Sequence, residues 1–299
     1  MNQEIPLDIV LRQGIRLEIK RDDLLHPFIS GNKFRKMKYN IHEAVKQEHH
    51  TLLTFGGAYS NHIAAVAAAG KEYGFRTIGI IRGEELAEKV RENPTLSFAE
   101  KSGMQFRFIS RSDFREQHTA AFLDGLRNEF GSFYLLPEGG TNDLAVKGCE
   151  EILNPGDKGF DYLCCAVGTG GTISGLINSS EKNQEVLGFP ALKGDFLTDD
   201  IRKFAHQDNW SLRQEFHFGG YARVNEELIR FINDFRQKTG IPLDPVYTGK
   251  MMYGILKLID SGYFKSGASI LAIHTGGLQG IPGMNTVLQK KHLPLIEQG

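Results

Sequence analysis

Asp161-Tyr162-Leu163-Cys164-Cys165-Ala166-Val167-Gly168-Thr169-Gly170-Gly171-Thr172-Ile173-Ser174-Gly175 decides the fold class. Residues 161–167 form a short apolar run with the length of a buried strand, and 171–179 read as the helix that this strand feeds. Cys164 and Cys165 fall inside the run and are expected to be packed strand residues. A strand that turns on glycines into a helix is the repeating unit of a parallel sheet. The loop also suits an anion, because the first amides of a helix have no intrahelical acceptor. It lacks the lysine that a P-loop needs, and Gly168 and Gly170 lack the third glycine of the dinucleotide fingerprint. Tight turning and close helix packing are the plainer account of its glycines.

Outward from this unit the alternation continues in both directions. Upstream, strands are expected at 51–55, 76–81, 105–109 and 133–136. The helices between them fall at 63–73, 93–102 and 112–130, the last with Asp113 in its first turn. Downstream, helices are expected at 143–152, 224–239 and 250–260, with strands at 185–189 and 269–273. The segment 192–218, which holds the single tryptophan Trp210, reads as loop and short helix. The class is therefore α/β, as two open twisted units with a ligand where strand ends converge. Residues 45–141 make the smaller unit, and 1–44 with 142–299 the larger.

Polar chemistry collects at a few places in this pattern. In Ser30-Gly31-Asn32-Lys33-Phe34-Arg35-Lys36, Asn32 suits a helix cap and Gly31 a close approach, which puts Lys33 at the first helical position. The helix dipole, with Arg35 and Lys36, then lowers the lysine pKa. Lys36 shares a helix face with Lys33 and could supply a cation to a phosphate; a solvated charge is the alternative. A free lysine amine together with a separate phosphate cradle at Gly168, Thr169, Gly170, Gly171 and Thr172 is what pyridoxal phosphate requires. Gly56-Gly57-Ala58-Tyr59-Ser60-Asn61-His62 joins a strand to a helix start, which welcomes a substrate carboxylate at Ser60, Asn61 and His62. Ser60 as a simple cap is the bland reading. Tyr247 could stack on a flat ring or pack in the core. Thr275, at a strand end before two glycines, could point its hydroxyl at a ligand.

Bulk properties narrow the partners. The 299 residues carry 35 basic and 36 acidic side chains, a formal net charge of −1, which gives no electrostatic case for nucleic acid or an anionic membrane. Three cysteines do not make a disulfide framework, and no Cys-x-x-Cys or His-Glu-x-x-His spacing occurs, so no metal is expected. No secretory signal or membrane span is visible, and the cytoplasm is the expected compartment.

Five motifs occur in one order: Gly31-Asn32-Lys33-x-Arg35-Lys36, Gly56-Gly57 with Ser60-Asn61, Gly168 to Thr172, Asp244-Pro245-Val246-Tyr247-Thr248-Gly249-Lys250, and His274-Thr275-Gly276-Gly277. Together they resemble the 1-aminocyclopropane-1-carboxylate deaminase and D-cysteine desulfhydrase family. This is a branch of the tryptophan synthase β-like, fold-type II pyridoxal-phosphate enzymes. The resemblance implies that the cofactor lies in the cleft between the units and that Lys33 carries the Schiff base. Lys36 and the 168–172 loop would hold the phosphate, Asn61 the ring hydroxyl, and Tyr247 would lie near the ring. Ser60 would join proton transfer, and Tyr221 resembles the family's second active-site tyrosine, although Ala222-Arg223 departs from its usual Gly-Val-Pro. A homodimer is implied as well.

The family's deaminases carry Glu directly after the tyrosine, facing the pyridine nitrogen; here Thr248 stands there. The expectation is therefore β-elimination from D-cysteine or a related D-amino acid, giving pyruvate, ammonia and sulfide. Deamination of the cyclopropane acid to 2-oxobutanoate and ammonia is the alternative. A non-catalytic phosphate-ligand or regulatory protein is the non-enzyme alternative.

Overall fold

The computed structural model describes residues 1–297; positions 298 and 299, which the larger unit was expected to include, lie outside them. The chain opens with β1 (Asn2–Glu4), α1 (Asp8–Arg12) and β2 (Arg16–Lys20), then enters α2 (Asn32–Lys46). Strands and helices alternate from there: β3 (Thr51–Gly56), α3 (Asn61–Tyr73), β4 (Arg76–Arg82), α4 (Pro94–Lys101), β5 (Met104–Ile109), α5 (Ala120–Phe130) and β6 (Tyr134–Leu136). The alternation restarts with α6 (Asp143–Glu150), β7 (Tyr162–Val167), α7 (Gly171–Ser179), β8 (Glu185–Pro190), α8 (Phe196–Arg202) and β9 (Trp210–Leu212). α9 (Glu226–Thr239), α10 (Thr248–Asp260), β10 (Ser269–Ile273) and α11 (Ile281–Lys290) complete it.

The strands form two sheets, as the α/β alternation led us to expect. One is four-stranded and wholly parallel, in the order β5-β4-β3-β6. The other is six-stranded, in the order β1-β2-β10-β7-β8-β9, and only its β1–β2 pair is antiparallel. α3 explains how a helix lies so close to the smaller sheet: its Ala64, Ala65, Ala67 and Ala69 are all buried and keep the contact thin. α2 turns Met37, Ile41 and Ala44 into the same apolar cluster as Leu52 and Ile63. That spacing is one face of a helix. Among the described residues no helix is long and apolar enough to cross a membrane.

Two expectations about elements need correction. The stretch 112–130 is not one helix: a 3-10 turn at Asp113–Glu116 ends before Thr119, which caps α5 by accepting from the Phe122 amide. The segment 192–218 contains α8 and the edge strand β9, which pairs parallel to β8 from Trp210↔Val186 to Leu212↔Gly188. Three half-buried residues carry no alternation that would mark a strand in the sequence.

α2, α6 and α7 form a layer with unusually close crossings. A Cβ on Gly148 would lie 2.1 Å from the Arg35 carbonyl oxygen of α2, and one on Gly175 would lie 2.5 Å from Cys149 Cβ of α6. This layer sets where Lys36 meets the start of α7. We expect Gly148→Ala to push α2 off α6 and to cost about 1–3 kcal/mol. A denaturant midpoint equal to that of the wild type would show that the crossing is slack.

Candidate active site

The C-terminal ends of β3, β4, β7 and β10 converge on one cavity of about 1100 Å3. This is where ligands bind in open α/β sheets. Lys33, Lys36, Ser60, Asn61, His62, Tyr221, Tyr247 and Thr275 all line it, as do Gly168, Thr169, Gly170, Gly171 and Thr172. Thr248 does not.

Gly31 places Lys33. Its φ is +60°, and a Cβ there would sit 2.0 Å from the Thr275 carbonyl oxygen, so only glycine fits. Gly31, not Asn32, is the cap of α2, which makes Lys33 the second helical residue. Asn32 instead donates from its amide to Thr172 Oγ1 at 2.8 Å and accepts from Lys33 Nζ at 3.3 Å. Burial, then the Lys36 charge, lowers Lys33 to about 7. Arg35 has no part in this, because its guanidinium turns away to Asp22 (3.0 Å) and the Glu151 carbonyl (2.8 Å).

Lys36 is buried rather than solvated, and burial lowers its pKa too. Its ammonium donates to the Gly139 carbonyl at 3.1 Å and to Thr141 Oγ1 at 2.9 Å. A Cβ on Gly171 would come within 3.2 Å of Lys36 Nζ and 2.7 Å of Thr141 Oγ1. Gly170 caps α7 at φ +84°, a left-handed conformation. A lysine charge, threonine hydroxyls and first-turn amides thus surround a hollow that a side chain on Gly171 would fill. A phosphate fits there, and the Lys33 amine lies in the same cavity to take the aldehyde of pyridoxal phosphate.

On the opposite wall Ser60 caps α3, with its Oγ accepting from the Ile63 amide at 3.3 Å and its own proton still to give. Asn61 accepts from Gln279 Nε2 through its Oδ1. His62 behaves differently from the expectation. Its ring is buried, with Nε2 2.9 Å from Thr54 Oγ1. Thr54 spends its own proton on the Leu136 carbonyl, so at this contact the histidine donates. Nδ1 is left as a buried lone pair with no partner among the described residues. Burial, then Lys33 and Lys36, holds the imidazole well below its ordinary pKa, and therefore neutral. The side chain brings no charge to a carboxylate, and its unpartnered Nδ1 is buried against Gly140.

Tyr247 and Tyr221 meet edge-on, with ring centroids 6.2 Å apart. Tyr247 packs over the phosphate loop, 3.2 Å from where a Gly168 Cβ would be. Burial, then Tyr221, holds the Tyr247 hydroxyl well above its ordinary pKa, so it keeps its proton near neutrality. Thr248 corrects the expectation of a hydroxyl against the pyridine nitrogen. It is wholly buried, donates to Asp244 Oδ1 at 2.7 Å and accepts from the Asp244 amide at 2.9 Å. Thr275 is the hydroxyl at a strand end that does line the cavity.

Sequence reasoning missed Asp244, whose carboxylate accepts from the amides of Val246, Tyr247 and Thr248 and so fixes the loop that carries Tyr247. An aspartate just before a proline at a turn was the available signal. It also missed Thr141. Among the described residues no group of His, Cys, Asp and Glu side chains is placed to hold a metal ion.

The Lys33 amine is uncharged above pH about 7 and protonated below it. Covalent attachment of pyridoxal phosphate to the apoprotein is therefore expected to slow as the pH falls through about 7, approaching tenfold per further unit. Absorbance of the attached cofactor followed against pH measures this. A flat rate, or a borohydride-reduced label on Lys36 or Lys38, would contradict it.

The sequence pattern of the pyridoxal-phosphate dependent enzyme family matches residues 8–276. The mitochondrial bifunctional D-cysteine desulfhydrase/1-aminocyclopropane-1-carboxylate deaminase of Arabidopsis thaliana is 32% identical over 300 residues, covering 91% of this chain and 74% of the plant protein. A crystal structure of an ACC deaminase homologue aligns with a TM-score of 0.83 at 27% identity, over 97% of this chain and 93% of the other. A hydrogen sulfide-producing enzyme from Fusobacterium nucleatum shares the fold, with a TM-score of 0.65 at 14% identity over 93% of this chain and 95% of its own. The two-sheet architecture, the lysine beside its phosphate hollow and these likenesses agree: the chain belongs to the pyridoxal-phosphate-dependent enzyme family, in its branch of 1-aminocyclopropane-1-carboxylate deaminases and D-cysteine desulfhydrases.

Proposed function

We propose that this enzyme eliminates the β-substituent of a small D-amino acid, with D-cysteine as the substrate to test first. With water, D-cysteine then gives pyruvate, ammonia and sulfide. The observation that carries this choice is the absence of a carboxylate after Tyr247: Thr248 stands there, and its hydroxyl is turned away into Asp244. Thr275 is then the group we assign to the ring nitrogen. A hydroxyl does not hold a pyridinium proton as a carboxylate does, which suits a reaction whose leaving group departs soon after the Cα proton.

When bound, pyridoxal phosphate draws electron density from the substrate Cα. The chain's own groups do the rest. Lys36, Thr141 and the amides that follow Gly170 bind the phosphate. The start of α3 at Ser60 and Asn61 receives the substrate carboxylate. Lys33, lowered to about 7, would hold the cofactor and, as a free amine, move the Cα proton. Ser60 Oγ, which accepts from Ile63 and keeps its proton, passes protons at the carboxylate end. Tyr247, protonated, serves as a donor.

For the units we take 45–141 as the smaller and 1–44 with 142–299 as the larger. The exposed Leu24 and Leu25, with Phe28 at the cavity, give a second copy a surface, so we take the working form as a homodimer. Three buried free cysteines suit the reducing cytoplasm.

Two measurements test the reading. Ser60→Ala should keep the absorbance of lysine-bound cofactor and lose roughly 100-fold or more in turnover; wild-type kinetics would reduce Ser60 to a helix cap. The wild-type enzyme should release pyruvate and sulfide from D-cysteine faster than it yields 2-oxobutanoate from 1-aminocyclopropane-1-carboxylate. The reverse order would make it the deaminase.

A further inference from the structure

Lys250 is the most deeply buried lysine of the described residues, 1% exposed in the first turn of α10. Among the described residues it makes no ion pair. Its ammonium donates instead to two main-chain carbonyls, those of His217 at 2.9 Å and Gly220 at 2.8 Å. Burial lowers it to about 8, with Asp244 pulling the other way. Desolvating an ammonium for two neutral acceptors is costly. A methionine would fill the same space without that cost, so packing alone does not account for the charge.

The loop that it grips is strained. Phe218 (φ +55°), Gly219 (φ +92°), Gly220 (φ +118°) and Ala222 (φ +53°) all lie in the left-handed half of conformational space, and two of them carry side chains. Tyr221 is the residue between them, and it is the tyrosine that meets Tyr247 in the cavity. Upstream the segment has other anchors: Phe216 packs on Phe189, and Phe218 lies 4.9 Å from the Tyr253 ring. Downstream of Phe218 the remaining hydrogen bonds of the loop backbone are local, from the Gly219 amide to His217 Nδ1, from the Gly220 amide to the His217 carbonyl and from the Arg223 amide to the Gly220 carbonyl. Tyr247 begins the same helix that carries Lys250. One helical turn therefore holds one tyrosine directly and reaches the other through the lysine.

We propose that Lys250 is a positioning residue for the reaction: by clamping the His217 and Gly220 carbonyls it sets Tyr221 against Tyr247 over the bound substrate. This rests on the elimination reading for what the tyrosine pair serves, but the clamp itself is read without it.

The test compares the holoenzymes of Lys250→Met, Tyr221→Phe and the double variant with D-cysteine, and follows amide exchange in Lys250→Met. Lys250→Met should lower kcat at least about tenfold while KM and cofactor Kd stay within about twofold, because the clamp acts on the tyrosine pair and not on the carboxylate or phosphate sites. The double variant should be no slower than the slower single one, since both changes remove the same contribution. The Gly220 and Arg223 amides should exchange at least about tenfold faster, with the amides of α10 unchanged. Full kcat in Lys250→Met, multiplied losses in the double variant, or unchanged exchange at those two amides would each overturn the proposal. If Lys250→Met does not fold, Lys250→Gln, smaller and uncharged, is judged by the same criteria. If the wild type eliminates nothing from D-cysteine, the functional reading fails by itself. The exchange result then decides the clamp, and the same variants are assayed for 2-oxobutanoate release.

Discussion

The contact of Gly31 with the end of β10 is the constraint on which the site depends. The Asn32 amide donates to the Thr275 carbonyl at 3.2 Å, and no side chain can stand between them. This contact fixes the start of α2 against the larger sheet, while the rest of α2 packs its apolar face on the smaller one. Lys33 therefore projects from a helix tied to both sheets. Its lowered pKa follows from that placement: the amine is buried in the cavity between the two sheets, with Lys36 one turn away. The phosphate hollow depends on the same helix, because α2 crosses α6 at Gly148 and α6 crosses α7 at Gly175. Three helices at contact distance bring a lysine from near residue 36 to a loop near residue 170 with no direct covalent help.

Electrostatics inside the cavity follow from what each group is denied. Lys33 is denied water and sits by Lys36, which together outweigh the pull of Asp244, so it gives up its proton readily. His62 is denied water and sits by two lysines, so it remains neutral. Its tautomer is set from behind by a threonine that has already spent its proton. Tyr247 is denied water and keeps its proton. The result is a neutral amine, a neutral imidazole and an intact phenol around one space. The buried carboxylate on the same wall, Asp244, is taken up by the amides of its own loop.

Much of this was legible in the sequence where the deciding information was local. The strand–glycine–helix pattern from Asp161 to Ser179 pointed to the fold class, and the ordered motifs named Lys33, Lys36, Ser60, Asn61, Tyr247 and the 168–172 loop, all of which line the cavity. What was illegible depended on partners distant in the chain. β2 is a strand because β10 lies beside it, and β9 because β8 does. The Thr248 hydroxyl reads as available until Asp244, four residues back, is seen to take it. Asn32 looks like a cap until its amide is found on Thr172. Arg35 looks like part of the lysine's environment until Asp22 claims it. In each case residue type announced a polar role, and only tertiary structure chose between partners.

The order of strands in the larger sheet bears on how the chain is made. β2 ends at Lys20, yet its parallel neighbour β10 begins at Ser269, and β10 is also the strand that joins β2 to β7. All four strands of the smaller sheet lie between Thr51 and Leu136 and pair only with one another. On a ribosome that sheet can close early, whereas β2 must wait, unpaired on one side, until β10 has emerged. The Gly31–Thr275 contact forms only then. The lysine's setting is thus withheld from a chain made only as far as the smaller sheet, and it is completed when the end of β10 arrives.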